Sequence, residues 1–369
     1  MRLTTARGAR AALAGALVAA TMIGLVVCIA GGSPAMLVVA VIASASTALA
    51  TRMGWRVGLP LSVVALLALS AVLVRAAPLL GSDLFWSAAI GLTVIGLAGG
   101  IIVAAGRSAL PIPSRRELVV ALAALVVPVG FLVLTTIAFG TGAGMHVGWA
   151  MNNDTAWNTV SSRLILADGG IASWSTPNPS PLANGLMALW YAPGRPDLGS
   201  LQHDVARQTE LLLLMTAMAS TFAGLLTARG GIGRRIAIVV VGGVIGGLIP
   251  LTWFVSGYVI QFGFFNVVPV IVVMLAAWML WTVSNRHPVL ATFGLLISTL
   301  VLFASWAPVA ALPAALALVA AIRGWIHGAR SPGAVGSVGA AGALLAGAAP
   351  LAASACPLRR RSGSVTSTT

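Results

Sequence analysis

The stretch LFWSAAIGLTVIGLAGGIIVAA, residues 84–105, carries no charged side chain from end to end. Asp83 precedes it and Gly106-Arg107 follows it. A helix of this length extends about 33 Å at roughly 1.5 Å per residue. That is enough to cross a hydrocarbon core about 30 Å thick. Lipid offers peptide groups no hydrogen-bond partners, so such a run satisfies its backbone internally, as a helix.

Working outward, the same pattern recurs over residues 11–30, 35–50, 57–80, 118–140, 209–228, 236–258, 262–284, 289–305 and 308–322. An Ala/Gly-rich run, 333–355, is a weaker eleventh candidate, and Ser/Thr residues close the tail. Hydrophobic residues make up 59% of the 369 residues and charged residues only 8%. A soluble domain carries about 25% charged residues. The expected architecture is therefore all-α: a polytopic bundle of about ten transmembrane helices. Alternating strands of the barrel type are not seen. The run 11–30 follows Arg2, Arg7 and Arg10. It is longer than a secretory signal core and lacks a small-residue cleavage site, so it reads as the first span.

The net charge is +14, and every basic residue is Arg. The arginines are dispersed between apolar runs, which argues for topology signals and against a nucleic-acid partner. With the N-terminus in the cytoplasm and alternating spans, Arg52, Arg56, Arg107, Arg115, Arg116, Arg229, Arg234, Arg235, Arg286, Arg323 and Arg330 fall inside with the N-terminal three. The short outer turns 31–34 and 81–83 receive none. This positive-inside agreement implies a plasma-membrane protein. It divides the chain into a first bundle (1–140), an external loop (141–208), a second bundle (209–330) and a tail (331–369).

Five of the seven acidic residues lie in or beside that external loop: Asp154, Asp168, Asp197, Asp204 and Glu210. Residues 155–167 read as a helix with Trp157, Val160, Leu164 and Ala167 on one apolar face. It would lie on the outer membrane surface, with Asn158, Ser161 and Ser162 on its remaining sides. Asp168-Gly169-Gly170 ends it through a left-handed glycine cap. Asp154 (or Asn153) can serve as its N-cap. The same carboxylate at the lipid–water boundary can also act as a general base or metal ligand. Prolines 177, 179 and 181 then break regular structure. A short apolar helix follows, 182–191, with Leu182, Leu186, Leu189 and Trp190 as its buried face, re-entrant or on the surface. Ser200 caps a helix that runs into the next span and bears His203, Asp204, Arg207 and Glu210. Asp204 and Arg207 share a face there, as do His203 and Arg207. They form either a solvated first turn with a weak ion pair or, with Arg163, a set of groups around a lipid phosphate. Arg75, near the outer end of its span, reads as a snorkelling side chain.

This segment resembles the first catalytic external loop of the membrane glycosyltransferases of the GT-C fold, including multi-pass actinobacterial members. Asp154, Ala156, Leu164, Gly169, Gly170, Pro179 and Pro181 carry the resemblance, over about 65 residues. It implies transfer of a sugar from a polyprenyl-phosphate donor to a cell-envelope acceptor on the outer side of the membrane. Asp154 would be the catalytic carboxylate, with Arg163, Arg207, His203 and Asp204 around the substrate. A divalent metal is compatible with that role, but no His, Cys, Asp or Glu spacing specifies one. The sequence departs from the family in two ways: about five spans precede the loop, and Asn153-Asp154 supplies one carboxylate where a pair is common. Two other readings remain open. One is a transporter or flippase with helix breaks at Pro250, Pro308 and Pro313. The other is a non-catalytic membrane component that binds a partner through the loop. Cys28 and Cys356 form neither a disulfide framework nor a metal site.

Overall fold

A computed structural model describes residues 2–106, 113–141, 153–171, 182–194, 200–230, 235–252, 259 and 262–328. No strand occurs among them. The helices are α1 (Arg2–Ile29), α2 (Ala35–Met53), α3 (Trp55–Leu79), α4 (Leu84–Ala105), α5 (Arg115–Gly140), α6 (Asn153–Ala167), α7 (Leu182–Tyr191), α8 (Leu201–Gly230), α9 (Ile236–Ile249), α10 (Val267–Thr282), α11 (Pro288–Trp306) and α12 (Ala311–Gly328). A 3-10 turn, Ala307–Ala310, joins the last two. The eleventh apolar run, 333–355, lies outside the described residues.

Seven helical runs among the described residues are long and apolar enough to cross a membrane. One of them, Pro288–Ile326, contains both α11 and α12. Those two helices fold back on each other: a Cβ added at Gly324 would lie 3.1 Å from the Pro288 ring. Two shorter apolar helices, Ile236–Thr252 and Val267–Thr282, complete the set. Large apolar side chains such as Val94, Ile101, Val126, Leu134 and Ile245 point away from the protein. A face of this kind is an aggregation liability in water and ordinary in lipid. The chain is an integral, multi-pass membrane protein.

Local chemistry sets several helix starts. The Asp83 carboxylate accepts from the Trp86 backbone N–H at 2.9 Å, opening α4. Ser114 and Glu117 cap α5 reciprocally, with Ser114 N–H donating to Glu117 Oε2 at 3.0 Å and Glu117 N–H to Ser114 Oγ at 3.3 Å. This pattern satisfies two otherwise orphaned donors.

Sequential helices pair as hairpins: α1 on α2, α2 on α3, α8 on α9, α10 on α11 and α11 on α12. Helices α5, α8 and α9 form the closest-packed group, through glycine. A Cβ at Gly243 would meet the Ala123 carbonyl carbon at 2.8 Å, and one at Gly246 the Ala223 oxygen at 2.8 Å. Ser220 donates to the Gly247 carbonyl at 2.8 Å. In lipid, where apolar surface is not driven together, such backbone proximity and hydrogen bonding hold helices. The long run 236–258 is not one regular helix. Pro250 lacks an N–H, so α9 ends at Ile249 and gives way to a π-helical turn over 250–252. Similarly, α10 starts at Val267 and not at 262, because Gly263 takes φ +76° and breaks the helical path.

The contacts sort into two poles. At one, the backbone of the α1–α2 turn, the last turn of α3 and the segment before α10 meet α6, the end of α7 and the start of α8. At the other, Arg10 at the start of α1 donates to the Gly106 carbonyl after α4. Arg323 in the last turns of α12 lies over the Trp281 ring at the end of α10. We call these the loop pole and the arginine pole.

Candidate functional site

α6 turns its polar face inward. Thr155, Asn158, Thr159, Ser161 and Ser162 are buried, while Trp157, Val160 and Leu164 are each about half exposed. The apolar face does point away from the protein, as expected. The polar sides, however, do not meet water. Thr159 Oγ1 donates to Gln208 Oε1 on α8 at 3.0 Å, and Asn158 Nδ2 donates to the Gly263 carbonyl at 3.3 Å. Tyr191, the last residue of α7, donates its hydroxyl to the same Gln208 oxygen at 3.1 Å. Ser162 Oγ donates to the Asn158 carbonyl at 2.6 Å. Thr155 Oγ1 and Ser161 Oγ are buried with no hydrogen-bond partner among the described residues, so the polar side of this helix packs on protein and is satisfied in part.

The end of α6 is fixed by the cap that its glycines predict. Gly169 has φ +70°, and the Gly170 N–H donates back to Ile165 O at 2.8 Å. The Ile171 N–H then donates to Val74 O on α3 at 2.8 Å. That carbonyl is available because the residue four later is Pro78, which has no N–H to give. Gly170 is tight against this junction, since an added Cβ would lie 2.6 Å from Pro78 Cδ at φ +139°.

α7 is buried on every side. All its residues except Leu189 are buried, including Asn184, Met187, Ala188 and Tyr191. It is therefore not a surface helix with one inward face. Ten residues extend about 15 Å, half a bilayer core, which suits a re-entrant wedge. Asn184 Nδ2 and Oδ1, Trp190 Nε1 and Gln208 Nε2 have no hydrogen-bond partner among the described residues.

The charges arrange differently from the solvated first turn read from spacing. Asp204 is fully buried and pairs with Arg163 of α6, Oδ2 to Nε at 3.2 Å, and not with Arg207. Arg207 instead donates from Nη2 to the Gly31 and Gly32 carbonyls, each at 2.8 Å, and from Nη1 to Glu210 at 3.0 Å. Ser33 donates to the other Glu210 oxygen. His203 Nε2 meets the Tyr191 carbonyl at 3.1 Å, and its backbone N–H donates to the Ser200 cap at 3.3 Å. The start of α8 is thus clamped to α6 by one ion pair and to the α1–α2 turn by hydrogen bonds of the Arg207–Glu210 pair with Gly31, Gly32 and Ser33.

Below the second clamp lies an apolar cleft of about 890 Å³, counting the space open at its mouth. Residues from α1, α2, α3, α4, α7 and α8 line it, among them Cys28, Leu37, Leu66, Phe85, Trp190 and Met218. Pro34 and Leu211 lie on its wall, each one residue along from the bonded pair Ser33 and Glu210. A second apolar cavity of about 530 Å³ shares Ile42, Val63 and Met218 with the first. On α3 the two linings run from Leu73 to Leu59, roughly 20 Å along the helix. A third, small cavity of about 220 Å³ holds Arg75 beside Val74, Leu182 and Gly185.

Asp154 is exposed at the second residue of α6 and does not line the cleft. α6 begins at Asn153, which puts Asn153 and Asp154 in its first turn; the residues before it lie outside the described ones. His146, Arg195, Asp197, Pro179 and Pro181 also lie outside them. No group of His, Cys, Asp or Glu suited to a metal occurs among the described residues. The structure brings Arg163, Asp204, His203 and Arg207 to one pole but leaves them bonded to protein. The residues missed by spacing are Gln208, Thr159, Tyr191 and Ser33. Asp204 and Gln208 at i,i+4 on α8, facing Thr155, Asn158, Thr159 and Ser162 at helical spacing on α6, were the available signal. No protein-family model matches the sequence, and no curated protein or solved structure matches it.

Proposed function

We propose that this membrane protein takes a lipid-linked substrate from the outer leaflet and acts on it at the loop pole. The supporting observation is the apolar cleft, whose wall residues Pro34 and Leu211 adjoin the hydrogen-bonded Ser33 and Glu210 at that pole. Its wall is aliphatic and aromatic, which suits a hydrocarbon chain, and polar groups gather only at one end. The chain lies in the cleft and the head group at the pole. In this reading the N-terminus and the arginine pole face the cytoplasm, and the protein sits in the plasma membrane.

The reaction we assign is sugar transfer of the GT-C type, from a polyprenyl-phosphate donor to a cell-envelope acceptor. Asp154 is its carboxylate, held in water by a helix whose opposite face is locked into the protein. A general base needs reach and exposure before it needs a shifted pKa, and Asp154 has that exposure. Arg163, Asp204, His203 and Arg207 shape the pole around the head group. Because both arginines are already bonded to carboxylates, they position the framework. Gln208 Nε2, Trp190 Nε1 and Asn184 Nδ2 are donors left to offer.

The test uses the full chain reconstituted with a polyprenyl-phosphate sugar and an envelope acceptor fraction. Asp154→Ala retains helix content and insertion and loses transfer. Full transfer by that variant removes Asp154 from the mechanism. Absence of transfer in the unaltered protein, with lipid still bound, favours a carrier over an enzyme.

A further inference from the structure

Far from the cleft, at the arginine pole, the ends of three helices bring together charges that do not satisfy one another. Arg56 is the second residue of α3, Glu117 lies in the first turn of α5, and Arg229 lies in the last turn of α8. Glu117 is the one acid there, and its carboxylate is largely committed. Oε2 accepts from the Ser114 N–H at 3.0 Å and from Ser114 Oγ at 3.1 Å. Oε1 meets Arg56 Nη2 at 3.6 Å, too long for a strong hydrogen bond, with both side chains partly exposed. Arg229 Nη1 is buried and has no hydrogen-bond partner among the described residues. Around this group Arg115, Arg116 and Arg235 are exposed at the starts of α5 and α9.

We propose that Arg229 and Arg56 form a phosphate-binding site at the arginine pole, which takes an anionic phosphate group alongside Glu117. A buried guanidinium donor with no acceptor is costly, and an arriving acceptor removes that cost. The ligand must be an anion, because Arg56 and Arg229 each feel the other's charge and the field of a single carboxylate, Glu117, that is already bonded. Phosphate fits better than a simple halide, as its oxygens take the parallel donors of a planar guanidinium. The position fits too, since these spanning helices end where lipid phosphates lie. The positive ends of α3 and α5 favour an anion there, while the negative end of α8, which carries Arg229, opposes it, so the guanidinium groups supply the attraction. A lipid head group and free phosphate share this chemistry, and an experiment separates them.

The full chain is incorporated into phosphatidylcholine nanodiscs with a minor fraction of phosphatidylglycerol or phosphatidate, and retained lipid is counted by native mass spectrometry after partial delipidation. The unaltered protein keeps the anionic lipid preferentially. Arg229→Gln weakens that retention by about tenfold, the scale expected for loss of a charge-assisted, geometrically matched contact. Arg229→Lys restores only part of it, because the fork is lost. Arg116→Gln, an exposed arginine on the neighbouring turn, leaves it near the original level. If Arg229→Gln does not insert, Arg56→Gln carries the same expectation. Displacement of the lipid by inorganic phosphate, with equal sensitivity to Arg229→Gln, supports the same site with an aqueous source. Equal retention of neutral and anionic lipid overturns the proposal. So does an Arg116→Gln loss as large as that of Arg229→Gln, which would mark a diffuse basic surface.

Discussion

Cutting away the Arg163 guanidinium removes the ion-pair partner of the Asp204 carboxylate, which has no exposed surface of its own. Removing Asp204 leaves Arg163 about a quarter exposed and able to turn toward the head groups. The two deletions therefore differ. Arg163→Met is expected to destabilise the protein by about 3 kcal/mol or more, and Asp204→Asn by clearly less. The double change Arg163→Met/Asp204→Leu recovers much of the loss, as apolar replacement of buried pairs often does. Thermal unfolding midpoints in detergent, compared across the three variants, check the order. Equal losses from the two single changes would mean the pair is solvated. Asp204, His203 and Arg207 stood out in the sequence as polar residues leading into an apolar span, and Arg163 as a charge on the preceding surface helix. Their pairing did not, because i,i+3 and i,i+4 spacing describes one helix. Arg163 and the Gly31 and Gly32 carbonyls come from elsewhere in the chain. Asp154 sits where its helix placed it, but the cleft lies under α7 and α8, and local spacing has no access to that.

Among the described residues the apolar runs are helical, because lipid leaves the backbone no alternative, so the helical bundle was plain in the sequence. Departures occur where one residue overrides the run: Pro250 ends α9, Gly263 delays α10, and Pro78 frees a carbonyl that docks α6. The two short helices were harder. Periodicity marked an apolar stripe on α6 and a face on α7, yet in a membrane protein the outward side is as apolar as the inward one. The polar stripe was the better guide to which side meets protein. At this scale Gly243→Leu is the sharpest test of the packing of α9. Its side chain would enter the space held by the Ala123 backbone. Overpacking of this kind costs about 1–3 kcal/mol where neighbours can shift, and here the neighbour is backbone. The expected result is a lower melting midpoint and protease cleavage between α8 and α9. Gly8→Leu, where nothing lies within 4 Å, leaves both unchanged. An unchanged midpoint for Gly243→Leu would show that α5 and α9 are not held this closely.

The whole molecule has two chemically different poles joined by hydrocarbon-compatible walls. One pole is clamped by the Arg163–Asp204 and Arg207–Glu210 pairs and lies over an apolar cleft. The other gathers arginine at helix ends. The division was visible beforehand in the alternation of arginines along the chain; the cleft was not, because its wall draws on six helices distant in sequence. The central functional claim is that a lipid chain occupies that cleft. Photocrosslinking with a polyprenyl-phosphate analogue carrying a diazirine in its chain, followed by peptide mapping, measures it directly. The account predicts adducts on Leu186, Leu214 and Met218, suppressed by excess unlabelled polyprenyl phosphate. Adducts spread over outward-facing residues such as Ile101, Leu134 and Ile245, unaffected by competitor and sparing the cleft, would contradict it.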